Sequence, residues 1–225
     1  MRRTPFLIFA LGPLLAVAPA LRAQTIPSPY HYVEKAQTLG VHAGYLWLER
    51  GKYDTNPTSG PLVELRYEGR FAGPVSAIAS VGFLPSDRPV YTRAAGAATA
   101  VRLPDASSLV AAAEAGFRLS VTGPRSWHGL QPSIATTAGL VTNLAGRTDE
   151  EKQLPGDQLV RLGPAFAVSP SAGIDWFPTE RISLDLRATD HIWRRTTPAG
   201  LTDSGTKETA WTNNVGVTVG AALHF

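Results

Sequence analysis

The sequence predicts an all-β protein, an eight-stranded antiparallel up-and-down transmembrane β-barrel. Three observations predict it. Eight segments alternate apolar residues with small or polar ones, the connections between them are short and long in turn, and the body of the chain lacks a run of the roughly 18 apolar residues that a spanning helix needs. The 225 residues include 21 Gly and 18 Pro, with 17% charged, a composition that suits strands and turns better than helices. Mean hydropathy is −0.04, as in many soluble proteins, but alternation along barrel strands averages the apolar signal away. The chain has no cysteine, which excludes disulfides, thiolate metal sites and lipidation through cysteine.

The eight segments follow in order. Val41, Ala43, Tyr45 and Trp47 alternate with His42 and Gly44, and Val63, Leu65 and Tyr67 with Glu64, Arg66 and Glu68. Val75, Ala77, Ala79, Val81 and Phe83 enclose Ser76, Ser80 and Gly82; Leu109 to Val121 carries apolar odd positions around Glu114, Gly116, Arg118 and Ser120. Leu130, Ile134, Ala138 and Leu140 alternate with Gln131, Ser133, Thr137 and Gly139, and Phe166, Val168, Ala172, Ile174 and Trp176 with Ser169, Ser171, Gly173 and Asp175. Ile182, Leu184, Leu186 and Ala188 alternate with Ser183, Asp185, Arg187 and Thr189, before a last strand that ends the chain. Side chains of a strand point to opposite faces in turn, so each segment sorts cleanly, whereas a helix would scatter Leu184-Asp185-Leu186-Arg187 around its surface. Short turns are expected at Phe71-Ala72-Gly73-Pro74, Thr122-Gly123-Pro124-Arg125 and Pro178-Thr179-Glu180. Long polar loops are expected around Gly51–Gly60, Pro85–Ser107, Asn143–Arg161 and Arg194–Glu208, all on the opposite rim.

Residues 1–23 read as a cleaved signal peptide: Arg2 and Arg3, the apolar run Phe6–Val17, and small residues ending at Ala23. Residues 24–36 then form an N-terminal periplasmic segment, and 37–225 the barrel. The precursor has a pI of about 9.4. Three of its 21 basic residues (Arg2, Arg3 and Arg22) lie in the signal, leaving 18 against 18 acidic ones. A neutral mature chain offers no basic surface for nucleic acid.

In the last strand Val215, Val217, Val219, Ala221, Leu223 and Phe225 share one face, with Gly216, Thr218, Gly220, Ala222 and His224 on the other. This ending resembles the C-terminal signal of bacterial outer-membrane barrels, whose last strand finishes in Phe after alternating apolar residues. The mature chain as a whole resembles the OmpA/OmpX-like class of small outer-membrane barrels in strand number, loop asymmetry and terminal Phe. The resemblance implies a place in the bacterial outer membrane with both termini periplasmic. It also implies outer-membrane lipid as surroundings, barrel-assembly machinery reading Val217, Val219, Leu223 and Phe225, and an unknown extracellular ligand at the long loops.

Alternation alone leaves open which face is inside, since a soluble barrel would turn the apolar face inward. The small residues of the polar face and the aromatics near strand ends favour the membrane orientation. Tyr45, Trp47, Phe83, Trp193 and Trp211 would form a girdle at the loop rim, and Tyr67, Phe71, Phe117, Trp176 and Phe225 one at the turn rim. Glu64, Arg66, Glu68, Arg70, Glu114, Arg118, Asp175, Asp185 and Arg187 would then enter the lumen and join as Arg–carboxylate pairs, with no charge left on the lipid face. His42 and His224 would meet near the closing seam as packing residues. Asp149-Glu150-Glu151 reads as a solvated acidic loop.

No catalytic residue, cofactor site or metal site is assigned. Small outer-membrane barrels include lipid A deacylases and palmitoyltransferases, but the His-x-Ser pattern of the deacylases is missing here. The expected function is structural or loop-mediated binding by a non-enzymatic barrel whose lumen is filled by a charged network. A narrow ion or small-solute pore and a lipid-modifying enzyme are the alternatives.

Overall fold

The computed structural model describes residues 28–94, 97, 99–160 and 162–225; the predicted signal peptide lies outside the described residues. The strands, in chain order, are β1 (Tyr30–Tyr32), β2 (Gln37–Leu48), β3 (Gly60–Ala72), β4 (Val75–Thr92), β5 (Val101–Ser120), β6 (Arg125–Trp127), β7 (Leu130–Asn143), β8 (Ala165–Trp176), β9 (Ile182–Thr197) and β10 (Glu208–His224). One short helix, α1 (Asp149–Gln153), lies between β7 and β8. Eight of the strands form the wall in the order β2-β3-β4-β5-β7-β8-β9-β10, every pair antiparallel. The ring closes because β10 returns to β2, from Asn214 opposite Leu48 to His224 opposite Thr38. Closure leaves no free edge in the wall.

The polarity is inverted relative to a soluble barrel. Leu65, Ile134 and Val219 are 49%, 53% and 58% exposed on the outer face, while Glu68, Arg118 and Arg187 inside are 8%, 8% and 2% exposed. An apolar exterior around a charged interior is stable in lipid and costly in water, so the wall is a transmembrane one.

Four features differ from the sequence reading. The strands run further at the loop rim: β4 continues to Thr92 and β5 begins at Val101, with a register shift between Arg88 and Val90. Residues past the apolar band need no apolar face, so polar exposed residues such as Asp87, Arg102 and Asp105 sit comfortably in strand. Trp193 does not belong to the outer girdle. It is odd-numbered on β9, like Asp185 and Arg187, and points inward at 2% exposure, whereas the other proposed girdle aromatics face outward. Thirdly, β9 extends past Thr189 and places Asp190 opposite Val215 on the outer face, level with Trp47. Its carboxylate is held there by the Asn213 side chain (2.8 Å) and the Asn214 amide (3.1 Å).

The fourth difference is the connection between β5 and β7. It is no tight turn: it contains β6, against which β1 pairs from Tyr30 opposite Trp127 to Tyr32 opposite Arg125. Leu130 begins β7 directly after Gly129, whose φ of 78° lets the chain reverse where a side chain would be strained.

Candidate functional site: the barrel lumen

The lumen has two tiers. In the tier toward the turn rim, Arg118 of β5 donates one nitrogen to Glu68 of β3 at 2.7 Å and another to Asp175 of β8. Arg187 of β9 approaches Glu68 from the far side at 4.0 Å. Arg66 donates Nε to Glu64 at 2.9 Å and brings Nη2 to 2.7 Å from the same oxygen, a local ion pair between inward residues two apart on β3. All six of these side chains are buried. Each charge therefore depends on a partner, because an unpaired ion in this enclosure would be strongly unfavourable.

Not every lumen carboxylate is bound by an arginine. Asp185 of β9 is bound by His42 of β2 across the closing seam. The imidazole fits because Gly220 on the neighbouring strand has no Cβ; one built there would overlap the ring. His224 lies near the same seam but pairs elsewhere: Nδ1 with the Thr38 hydroxyl at 3.0 Å and Nε2 with Ser183 at 2.7 Å. Glu114 of β5 has no arginine partner among the described residues either. It accepts from Thr137 at 2.5 Å and from Ser169 at 2.7 Å, while His191 Nδ1 stands 3.0 Å from the same serine oxygen and 3.7 Å from the carboxylate.

This Ser169–Glu114–His191 cluster went unrecognised in the sequence, although each residue occupies an inward position on β8, β5 or β9. Its residue types are those of acyl-transfer catalysis, but its geometry is different. The serine gives its proton to the carboxylate and faces the same ring nitrogen as that carboxylate, so serine, histidine and acid are not in relay order. Ser169 is also 2% exposed, and the adjoining cavity of about 30 Å³ is too small for a substrate acyl group.

That cavity marks the start of the second tier. Toward the loop rim an apolar cluster fills most of the lumen: Leu46, Leu48, Leu62, Leu84, Val110, Val141, Ala167 and Trp193, contributed by seven wall strands, with Thr212, Asn214 and Arg195 also buried at that end. Above it the connections pack into a cap. Arg88 of β4 grips Glu151 of α1 through Nε (2.9 Å) and Nη2 (2.6 Å), and donates to the carbonyls of Ser107 and Gly146 at 2.9 Å. Thr148 caps α1: its hydroxyl accepts from the Glu151 amide, and the Glu151 carboxylate accepts from the Thr148 amide. Glu151 is thus a buried tie rather than part of a solvated acidic run. Burial by itself would raise its pKa, but the Arg88 hydrogen bonds and the Thr148 amide hold the carboxyl below its ordinary value. Gln158 fastens the next stretch by accepting from the Arg93 amide at 2.9 Å and donating to the Arg93 carbonyl at 2.7 Å.

No family profile and no curated protein sequence matches the chain. Solved structures do. Neisserial surface protein A (NspA) superposes with a TM-score of 0.51 at 9% identity, over 84% of this chain and 97% of that one. The outer membrane protein OprG from Pseudomonas aeruginosa gives a TM-score of 0.48 at 13% identity, over 85% and 97%. Ail, the attachment invasion locus protein of Yersinia pestis, gives 0.42 at 13% identity, over 85% and 99%. At 9% identity the likeness to NspA is one of fold, and the closed ring with its inverted polarity agrees with it: the chain has the eight-stranded fold of the small outer-membrane β-barrels.

Proposed function

We propose that the protein is a non-enzymatic outer-membrane barrel that supports the envelope or binds a ligand through its loops, with the charged tier serving as a plug. The observation that carries this reading is the filling of the lumen. Ion pairs occupy the half toward the turns, aliphatic side chains and Trp193 occupy the half toward the loops, and the Arg88–Glu151 cap covers the end. A pore needs a continuous aqueous path, and a hydrolase needs room for a substrate carbonyl beside its nucleophile. Both terminal segments lie at the turn rim, so export through a signal of residues 1–23 would leave that rim, with residues 24–36, in the periplasm. The capped loops would then face outward, available to an extracellular ligand. The outward row Val217, Val219, Leu223 and Phe225 suits recognition by barrel-assembly machinery.

The test combines two assays on the same preparation. In planar lipid bilayers the refolded protein is expected to give no stable conductance steps, and expression in a Gram-negative host is expected to leave the lipid A mass spectrum unchanged. Reproducible channels would establish the pore instead, and a deacylated or acylated lipid A would establish the enzyme. For the assembly signal, deletion of Phe225 is expected to abolish the heat-modifiable band of folded protein in membranes, with an unchanged yield of that band counting against it.

A further inference from the structure

Residues between β1 and β2 take a path that the wall order makes unusual. In the ring β2-β3-β4-β5-β7-β8-β9-β10, strands β2 and β7 are four places apart in either direction, so they stand opposite one another. β1 is fastened to β6, which adjoins the turn-rim end of β7, yet four residues later the chain enters β2. Val33–Ala36 must therefore cross the mouth of the barrel.

The contacts agree with that path. On the β7 side the Val33 amide donates to the Pro124 carbonyl at 3.0 Å and the His128 amide to the Pro29 carbonyl at 2.9 Å. On the far side the Arg70 amide of β3 donates to the Ala36 carbonyl at 2.7 Å, and Gln37 exchanges backbone hydrogen bonds with Phe225 at 2.9 and 3.2 Å. Between these anchors Arg70 Nη2 reaches the Lys35 carbonyl at 3.3 Å while its guanidinium lies 5.7 Å from the centre of the Tyr32 ring. A single vestibule of about 30 Å³ is roofed by Val33, Lys35 and Ala36 and floored by Glu68, Arg118 and His224. On one flank the seal is loose: a cleft of about 360 Å³ separates His31–Glu34 from the β8–β9 turn at Phe177–Glu180.

We infer that residues 28–36 are a strap that closes the turn-rim mouth of the barrel and controls access to the charged tier from that side. The anchors at both ends are backbone ladders, whereas the middle is held by one long hydrogen bond from Arg70. The strap is thereby built to lift at its centre, between the β1 ladder and the Gln37 end in the wall. The device is separate from the loop cap, so the lumen is closed independently at its two ends.

The native chain has no cysteine, which makes a single introduced thiol a clean reporter. Ser120 lines the vestibule beneath the strap and is buried, whereas Ser204 is exposed on the opposite rim. In the folded full-length barrel in detergent, S120C is expected to react with a bulky cationic thiol reagent at least about tenfold more slowly than S204C. Deleting residues 28–36 should remove that protection and leave the S204C rate unchanged. If the deletion does not fold, judged by loss of the heat-modifiable shift, a full-length Y30G/V33P variant releases the same end, since proline cannot make the Val33–Pro124 hydrogen bond. Rapid labelling of S120C with the strap intact would overturn the inference. So would slow labelling that persists when the strap is released, because the barrier would then belong to the wall itself.

Discussion

The two tiers of the lumen fill similar space by opposite chemistry. Around Arg118 every contact is directional: the guanidinium must meet Glu68 and Asp175 from a third strand, and a shift of one residue in any ladder would send these groups to the lipid face. Around Trp193 the contacts are non-directional, and aliphatic side chains from several strands need only match in volume. The tiers therefore do different work. The charged tier specifies register and closure, because wrong pairings there are severely penalised, while the apolar tier contributes stability through packing.

The largest expected effect breaks the charged tier from one side. R118M strands two buried carboxylates and should lower unfolding stability in lipid vesicles by about 3–5 kcal/mol. The triple variant R118M/E68Q/D175N, which removes the charges together, should recover most of that loss, although with a less cooperative transition if the tier specifies register. A single variant within about 1 kcal/mol of the parent would contradict the role given to Arg118. Next in size, Trp193→Ala empties the centre of the apolar tier and should cost about 3 kcal/mol. Trp193→Phe should cost less than about 1.5 kcal/mol, since packing rather than hydrogen bonding matters there. Quenchers attached to lipid tails should dim Trp47 and Trp211 and spare Trp193; equal quenching would return Trp193 to the girdle. A smaller effect tests the wall's polarity: V219R, near the middle of the outer row on β10, should destabilise by about 2 kcal/mol or more. The inward T218V beside it should change stability by less than about 1 kcal/mol.

Most of the wall was legible in the sequence because a membrane barrel enforces period 2 on both faces of every strand. The lumen positions of Glu64, Arg66, Glu68, Glu114, Arg118, Asp175, Asp185 and Arg187 follow from parity alone. Their partners do not follow, since pairing depends on which strands face each other across the closed ring. His42 rather than arginine thus answers Asp185. Trp193 departs from the expected girdle: an aromatic near a strand end suggests an interface, whereas its odd position on β9 puts it on the inward face with Asp185 and Arg187. The cap was invisible for a different reason. Arg88 and Glu151 are 63 residues apart, and nothing in either local segment announces the other. The strap was equally hidden, because three residues of β1 carry no readable period.

The smallest expected effect lies in the cap, where local contacts decide whether a loop stays packed rather than whether the barrel stands. T148A removes the hydroxyl that caps α1 and should weaken the cap by about 1 kcal/mol. Protease cleavage between Leu144 and Gly163 should therefore speed up while the global unfolding midpoint stays put. The same contacts make the cap sensitive to acid. Because Arg88 and the Thr148 amide lower the folded pKa of Glu151 below its ordinary value of 4.5, the tie is at full strength above that value. It weakens as pH falls from there through the depressed folded value, because the carboxylate released on opening takes up a proton that the Arg88-paired one resists. Loop cleavage by an acid-tolerant protease should accordingly rise below about pH 4.5 in the native protein. In an E151Q variant, which has no charge to lose at this position, the cap should be weaker at neutral pH and its cleavage flatter with acidification. An equal acid response in E151Q and the parent would take the sensitivity away from Glu151 and would reduce the Arg88–Glu151 pair to a packing contact.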